Sequence, residues 1–154
     1  MPSIKGGYVQ FVRFFNPGKE LASVLEESLI SQLFPEAVSG EILSFEDQYI
    51  SSGGQLYELL TGKDRLIVDI RTGLNNKLNK ESKRSVHVCH PYDVCSHMIG
   101  IEAGLVITDR HGQPLDCLLD TTTSVDWIGY ANKEIYQEVS QALNDTMLQY
   151  NLLG

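Results

Sequence analysis

The chain has 154 residues, 42% of them apolar and 21% charged, which supplies one buried core and excludes wholesale disorder. Twelve basic against 20 acidic side chains give a formal charge of −8. That balance argues against non-specific nucleic-acid binding, which needs Lys and Arg to displace counterions from phosphates. Three cysteines (Cys89, Cys95, Cys117) show no framework spacing, so a disulfide-stapled fold is a poor reading. No apolar run approaches the ~20 residues that span a bilayer, so no membrane partner is expected. The opening Met-Pro-Ser-Ile-Lys-Gly-Gly lacks the apolar core of a signal peptide, and the expectation is a cytoplasmic protein with reduced thiols.

Tyr8 to Phe15 is aromatic and β-branched and is stopped by Asn16-Pro17-Gly18, as a strand and turn would be. Lys19 to Phe34 then places Leu21, Val24, Leu25, Leu29 and Leu33 at helical spacing, ended by Pro35. A second strand is expected between Glu41 and Tyr49. Ser51-Ser52-Gly53-Gly54 opens a second helix with Leu56, Leu59 and Leu60 on one side, stopped by Gly62. Arg65 to Ile70 has the apolar character of a buried strand. Thr72 to Arg84 is rich in Asn, Lys, Gly and Ser, and a mobile loop is expected over about 72–85. Pro91 to Ala103 is helical in pattern, Gly104 ends it, and Leu105 to Thr108 follows as a strand. Asp109 to Gly112 has turn composition. Val125 to Tyr130 is a last strand, and Asn132 caps a final helix carrying Ile135, Val139 and Leu143. Strands alternating with helices predict a single α/β domain over 1–154, one mixed sheet of about five strands with helices packed on it.

Three groups of residues could carry chemistry. The Ser51-Ser52-Gly53-Gly54 turn could hold an anion such as phosphate, because glycines admit close approach and a helix start presents free N–H groups. A Ser-capped helix without a ligand explains the same turn. His87, Cys89, His90, Cys95 and His97 are five potential metal ligands within 11 residues, but zinc sites usually repeat a closely spaced pair, which is missing here. A strand with Val86 and Val88 on one face and His87 and Cys89 on the other accounts for half of the cluster. The third group is Asp69, Asp93, Glu102, Asp109, Asp116 and Asp120. Most of these read as caps, turns or surface. Asp93 stands apart, near the start of an apolar helix where a carboxylate could enter a cleft. The basic run Lys77, Lys80, Lys83 and Arg84 reads as a solvated loop.

Pro91 to Asp116 (PYDVCSHMIGIEAGLVITDRHGQPLD) resembles the C-terminal signature of the inositol monophosphatase family. In that signature a Trp-Asp pair precedes a helix ending Glu-Ala-Gly, then a strand ending in Asp and a Gly-x-Pro turn. Here these look like Tyr92-Asp93, Glu102-Ala103-Gly104, Thr108-Asp109 and Gly112-x-Pro114. Ser51 to Gly62 is similar to the family's Gly-Ser-Ala-Ala-containing helix, and Trp127 to Val139 to its closing strand and helix, with Ala131-Asn132 at the characteristic step. The resemblance covers about Tyr8 to Leu143, as the C-terminal half of a two-part fold.

That resemblance implies a magnesium-dependent phosphate monoesterase. By position it makes Asp93 a metal ligand, sets Ser51, Ser52 and Gly53 against substrate, and puts Asp69 where the family binds substrate hydroxyls. The family's other metal ligands come from a Glu-Glu motif and an Asp-Pro-x-Asp-Gly-Thr motif; the second does not occur in this sequence, and the one Glu-Glu pair, Glu26-Glu27, lies inside the first expected helix. Gln55 also stands where the family commonly has Asp. Two expectations follow, from different classes. One is the substrate-side half of a sugar or inositol phosphatase, inactive alone, taking magnesium only together with a catalytic half. The other is a non-catalytic binding or assembly module, whose uncovered half-fold finds a second copy of itself or an obligate partner.

Overall fold

The computed structural model describes residues 2–14, 18–78 and 87–153. Five strands form one mixed sheet: β1 (Gly7–Phe11), β2 (Ser44–Glu46), β3 (Asp64–Asp69), β4 (Val106–Thr108) and β5 (Trp127–Tyr130), in the order β2-β1-β3-β5-β4. β1 runs parallel to β2 and β3, while β5 runs antiparallel to β3 and β4. The helices are α1 (Gly18–Leu33), α2 (Ser52–Leu60), α3 (Arg71–Leu78), α4 (His97–Glu102) and α5 (Lys133–Gln149), with a 3-10 turn at Pro91–Val94. The α/β class and the single mixed sheet are as the sequence predicts.

The period-2 alternation of the central strands sends side chains into two separate cores. Leu66, Val68, Ile128 and Tyr130 pack on one face with Leu25 and Leu29 of α1 and Val139 and Leu143 of α5. Ile67, Ile107 and Trp127 pack on the other with Leu56 and Leu59 of α2 and Val94. Each fully buried Leu, Ile or Val contributes about 1.5–3 kcal/mol. Gly129 faces α2, where a Cβ would lie 2.5 Å from Leu59 Cδ1, so the absence of a side chain lets the helix approach.

This topology fixes where a ligand can sit. The chain leaves β1 through α1 to β2 on one side, then returns through α2 across β1 to β3 on the other. Right-handed crossovers in opposite directions place their helices on opposite faces of the sheet. The point where direction reverses is open at the carboxyl ends of β1 and β3, the usual place for a ligand in an α/β sheet.

Three expectations need correction. The mobile loop expected over 72–85 is helical as far as Leu78, while 79–86, including Lys80, Lys83, Arg84 and Val86, lie outside the described residues. Helix α3 has poor composition of its own but is held from outside: Asp126 accepts from the N–H groups of Thr72 (2.9 Å) and Gly73 (3.0 Å), and Leu74 is buried. Lys77 donates to the Tyr150 carbonyl rather than lying in a solvated run. The Pro91–Ala103 helix is split, because Asp93 turns back to accept from the His90 N–H and closes a 3-10 turn before α4 begins. The first strand is shorter than Tyr8–Phe15, ending at Phe11, and the turn expected at Asn16-Pro17 lies outside the described residues. Among the described residues no helix is long and apolar enough to cross a membrane.

Candidate functional site

The segment entering α2 is fastened by amides. Gln10 and Gln55 both donate to the Tyr49 carbonyl, at 3.0 and 2.8 Å, and Gln48 donates to the Phe11 carbonyl at 3.0 Å. Gln55 is thus a buried strut, where the family resemblance commonly has an acid. Ser51 then takes extended backbone angles and its Oγ accepts from Gly54 N at 3.1 Å, capping the helix. The N–H groups of Ser52 and Gly53 lie in the first turn, ahead of any helical carbonyl that could accept them. The two glycines differ in purpose. A Cβ on Gly54 would stand 2.0 Å from the Tyr49 ring, so this glycine is required by packing. A Cβ on Gly53 would meet nothing within 4 Å, so its backbone faces open space.

That open space is a cavity of about 620 Å³ walled by Ser51, Ser52, Gly53, Arg71, His90 and Asp93. Four sequence candidates therefore meet on one wall: Ser51, Ser52, Gly53 and Asp93. The His90 and Tyr92 rings stack at 5.3 Å and 7° beside it, and Asp93 Oδ2 lies 3.6 Å from His90 Nδ1. Asp69, the fifth candidate, sits beneath the cavity and has no solvent exposure. Its carboxylate holds Arg71 through two bonds, Nε to Oδ1 and Nη2 to Oδ2, each 2.7 Å. Arg71 Nη1 also donates to the His87 carbonyl at 3.3 Å. The guanidinium is fixed on three sides, and it is Arg71 that reaches the wall.

The histidine–cysteine cluster divides. His87 and His90 line the cavity, whereas the Cys89 thiol is buried 3.6 Å from Ser52 Oγ. Burial, then the charge of Asp69, push that thiol up to about 12, so it is neutral and serves packing. Cys95 is exposed, and His97 Nδ1 lies 3.0 Å from the Val94 carbonyl. Among the described residues no three His, Cys, Asp or Glu side chains gather to hold a metal. For magnesium the donor set does not fit: Asp93 is the one acid on the cavity wall among the described residues, and its Oδ2 is already engaged by the His90 N–H. The remaining acids behave as turn and surface groups. Asp109 Oδ1 accepts from His111 N and Gln113 N, Asp120 Oδ1 from Thr122 N and Thr123 N, and Glu102 and Asp116 are exposed.

Sequence reasoning missed Arg71, Asp126 and Arg110. Asp126, just ahead of β5, accepts from Thr72 N, Gly73 N and Arg110 Nη1 (2.8 Å), so it locks the first turn of α3 and the arginine that begins it. Its own burial, with the charge of Asp69 adding, pushes its carboxyl up to about 6 against the pull of Arg110. The available signal for Arg71 was its place directly after a buried strand, at the carboxyl end of a sheet.

No protein-family model matches the chain, and no curated protein matches it. Several solved structures do. A hypothetical protein from Pyrococcus horikoshii, described as having similarities for inositol-1 monophosphatase, is 14% identical with a TM-score of 0.48, over 90% of this chain and 41% of that one. SaIMPase-II bound to inositol monophosphate is 16% identical with a TM-score of 0.49, over 97% and 48%. The same protein bound to 2′-AMP is 13% identical with a TM-score of 0.49, over 99% and 48%. The chain spans less than half the length of each of these structures. The likeness is one of architecture and stops there.

Proposed function

We propose that this chain is the substrate-side half of an inositol-monophosphatase-like phosphate monoesterase, binding a sugar or inositol phosphate and inactive by itself. The supporting observation is convergence: Ser51, Ser52, Gly53, Arg71 and Asp93 come from three separate stretches of sequence onto one cavity at the carboxyl ends of the parallel strands. The open amides and dipole of α2 suit a phosphate dianion. Arg71 adds a fixed positive charge with donors in a planar fork. Asp69 serves the ligand indirectly, by holding Arg71. Asp93 accepts from a ligand hydroxyl, or joins metal ligands that another half supplies; among the described residues no set of carboxylates gathers to hold magnesium.

A phosphatase assay with magnesium tests this directly. Neither inositol monophosphate nor a panel of sugar monophosphates should be turned over by the chain alone. Turnover that disappears in Asp93→Asn, a substitution that keeps the acceptor for the His90 N–H, would show that the chain is catalytically sufficient and would overturn the proposal.

A second proposal, an assembly module, has its own observation. Tyr57 of α2 and Met98, Ile99 and Ile101 of α4 are 62%, 61%, 65% and 43% exposed on neighbouring helices. Apolar surface of this kind usually meets a partner. The two are compatible if the partner supplies the missing carboxylates.

A further inference from the structure

The phosphate cavity is only one end of a longer cleft. A second compartment of about 1010 Å³ adjoins it, and Ile50, Arg71 and His87 belong to the walls of both. Whole ligand sites commonly measure about 300–1,000 Å³, so the pair has far more room than a phosphate or a small polyol phosphate fills.

The walls of the second compartment differ in kind from the first. Phe14, just beyond β1, and Ile50, just ahead of α2, are its apolar side chains. The Phe14 ring is backed by the Arg71 guanidinium at 5.8 Å, which fixes one side of the slot. Ile50 is 83% exposed at the cleft edge, an apolar side chain that an occupant would cover. Arg13 also contributes to the wall, but its charge is spent. It pairs with Glu26 at 3.0 Å and with Glu46, and donates to Ser23 at 2.9 Å. Lys19 also lines this wall and is exposed, so the compartment keeps one cation beside the paired Arg13 and Glu46. Gln48 stands in the same wall with its Nε2 on the Phe11 carbonyl and its Oε1 enclosed without a partner, an acceptor that a donor on an occupant could satisfy after a small side-chain shift.

We infer that the cleft takes a phosphate monoester whose alcohol carries a large, mostly apolar ring system, with phosphate at Ser51–Gly53 and the ring between Phe14 and Ile50. This rests on the phosphate-binding proposal and narrows its substrate class. A polyol such as inositol presents hydroxyls on every edge, and those facing Phe14 and Ile50 would lose water without gaining a partner. A planar ring buries apolar surface against both side chains and leaves its polar edge for Gln48.

Calorimetric titration of the whole chain with inorganic phosphate, inositol 1-phosphate and 1-naphthyl phosphate tests the assignment. Naphthyl phosphate should bind at least about tenfold more tightly than inorganic phosphate, and inositol phosphate should show no comparable gain. In Ile50→Ser, at a position too exposed to threaten the fold, and in Phe14→Ala, the ratio of naphthyl phosphate to phosphate affinity should fall to about threefold or less. Equal affinities for naphthyl phosphate and phosphate, a preference for inositol phosphate, or a ratio indifferent to both variants would each overturn the ring site while leaving the phosphate site standing. Failure of inorganic phosphate to bind would instead remove the phosphate proposal on which it rests.

Discussion

Two buried carboxyls give the chain an unusual acid response. Asp64 has no solvent exposure, and neither of its oxygens has a hydrogen-bond partner. Burial, with the charge of Asp47 adding, pushes it up to about 6 from an ordinary 3.8, despite the nearby Lys63. Asp126 is raised to about 6 as well, by burial and the charge of Asp69. Between about pH 4 and 6 the folded chain keeps protons on both groups that the unfolded chain has released, so their contribution to stability falls as pH rises through that window. Asp120, held down to about 2 chiefly by the Thr123 N–H and hydroxyl, acts oppositely: its contribution is lost as pH falls below its ordinary value. Asp64→Asn should therefore stabilise the chain at pH 7 by about 1–2 kcal/mol, allowing for screening near Lys63, and by less at pH 5. Thermal melts at the two pH values measure this, and an equal or opposite effect at both would contradict it. Gly54→Ala should destabilise by forcing Tyr49 aside, whereas Gly53→Ala should leave the melting temperature within a degree or two, roughly the effect of a surface change, and weaken phosphate binding.

At the scale of elements, legibility in the sequence followed the range of the interactions. Helices α1 and α5 and strand β3 were readable because their burial pattern is written in local periodicity, as in Leu25–Leu29 and Val139–Leu143. The turn at Ser51–Gly54 was readable too, since helix capping is local. Helix α3 was not. Its Asn- and Gly-containing sequence favours a loop, and its first turn exists because Asp126, 54 residues along the chain from Thr72, supplies the cap. Arg71 was missed for the same reason, as a basic residue at the start of an expected loop. Asp126→Ala should cost about 2–4 kcal/mol, because it leaves two amides and Arg110 without their acceptor. It should also weaken phosphate binding by loosening Arg71. Denaturant unfolding and a phosphate titration read the two effects, and loss of stability with unchanged affinity would detach α3 from the site.

For the whole molecule, the two faces of the sheet have different fates. The face under α1 and α5 is closed by those helices, while the α2–α4 side carries exposed apolar side chains. Self-association at micromolar concentration is predicted on that side, and Ile99→Lys should reverse it in light scattering; a monodisperse parent chain would remove the assembly proposal. The central claim, that a phosphate sits at the start of α2, can be tested without any turnover. Amide resonances followed during titration of the full chain with inorganic phosphate should move most at Ser52 and Gly53, with smaller shifts at Arg71 and His90. Shifts confined to other parts of the chain, or none at saturating phosphate, would contradict it.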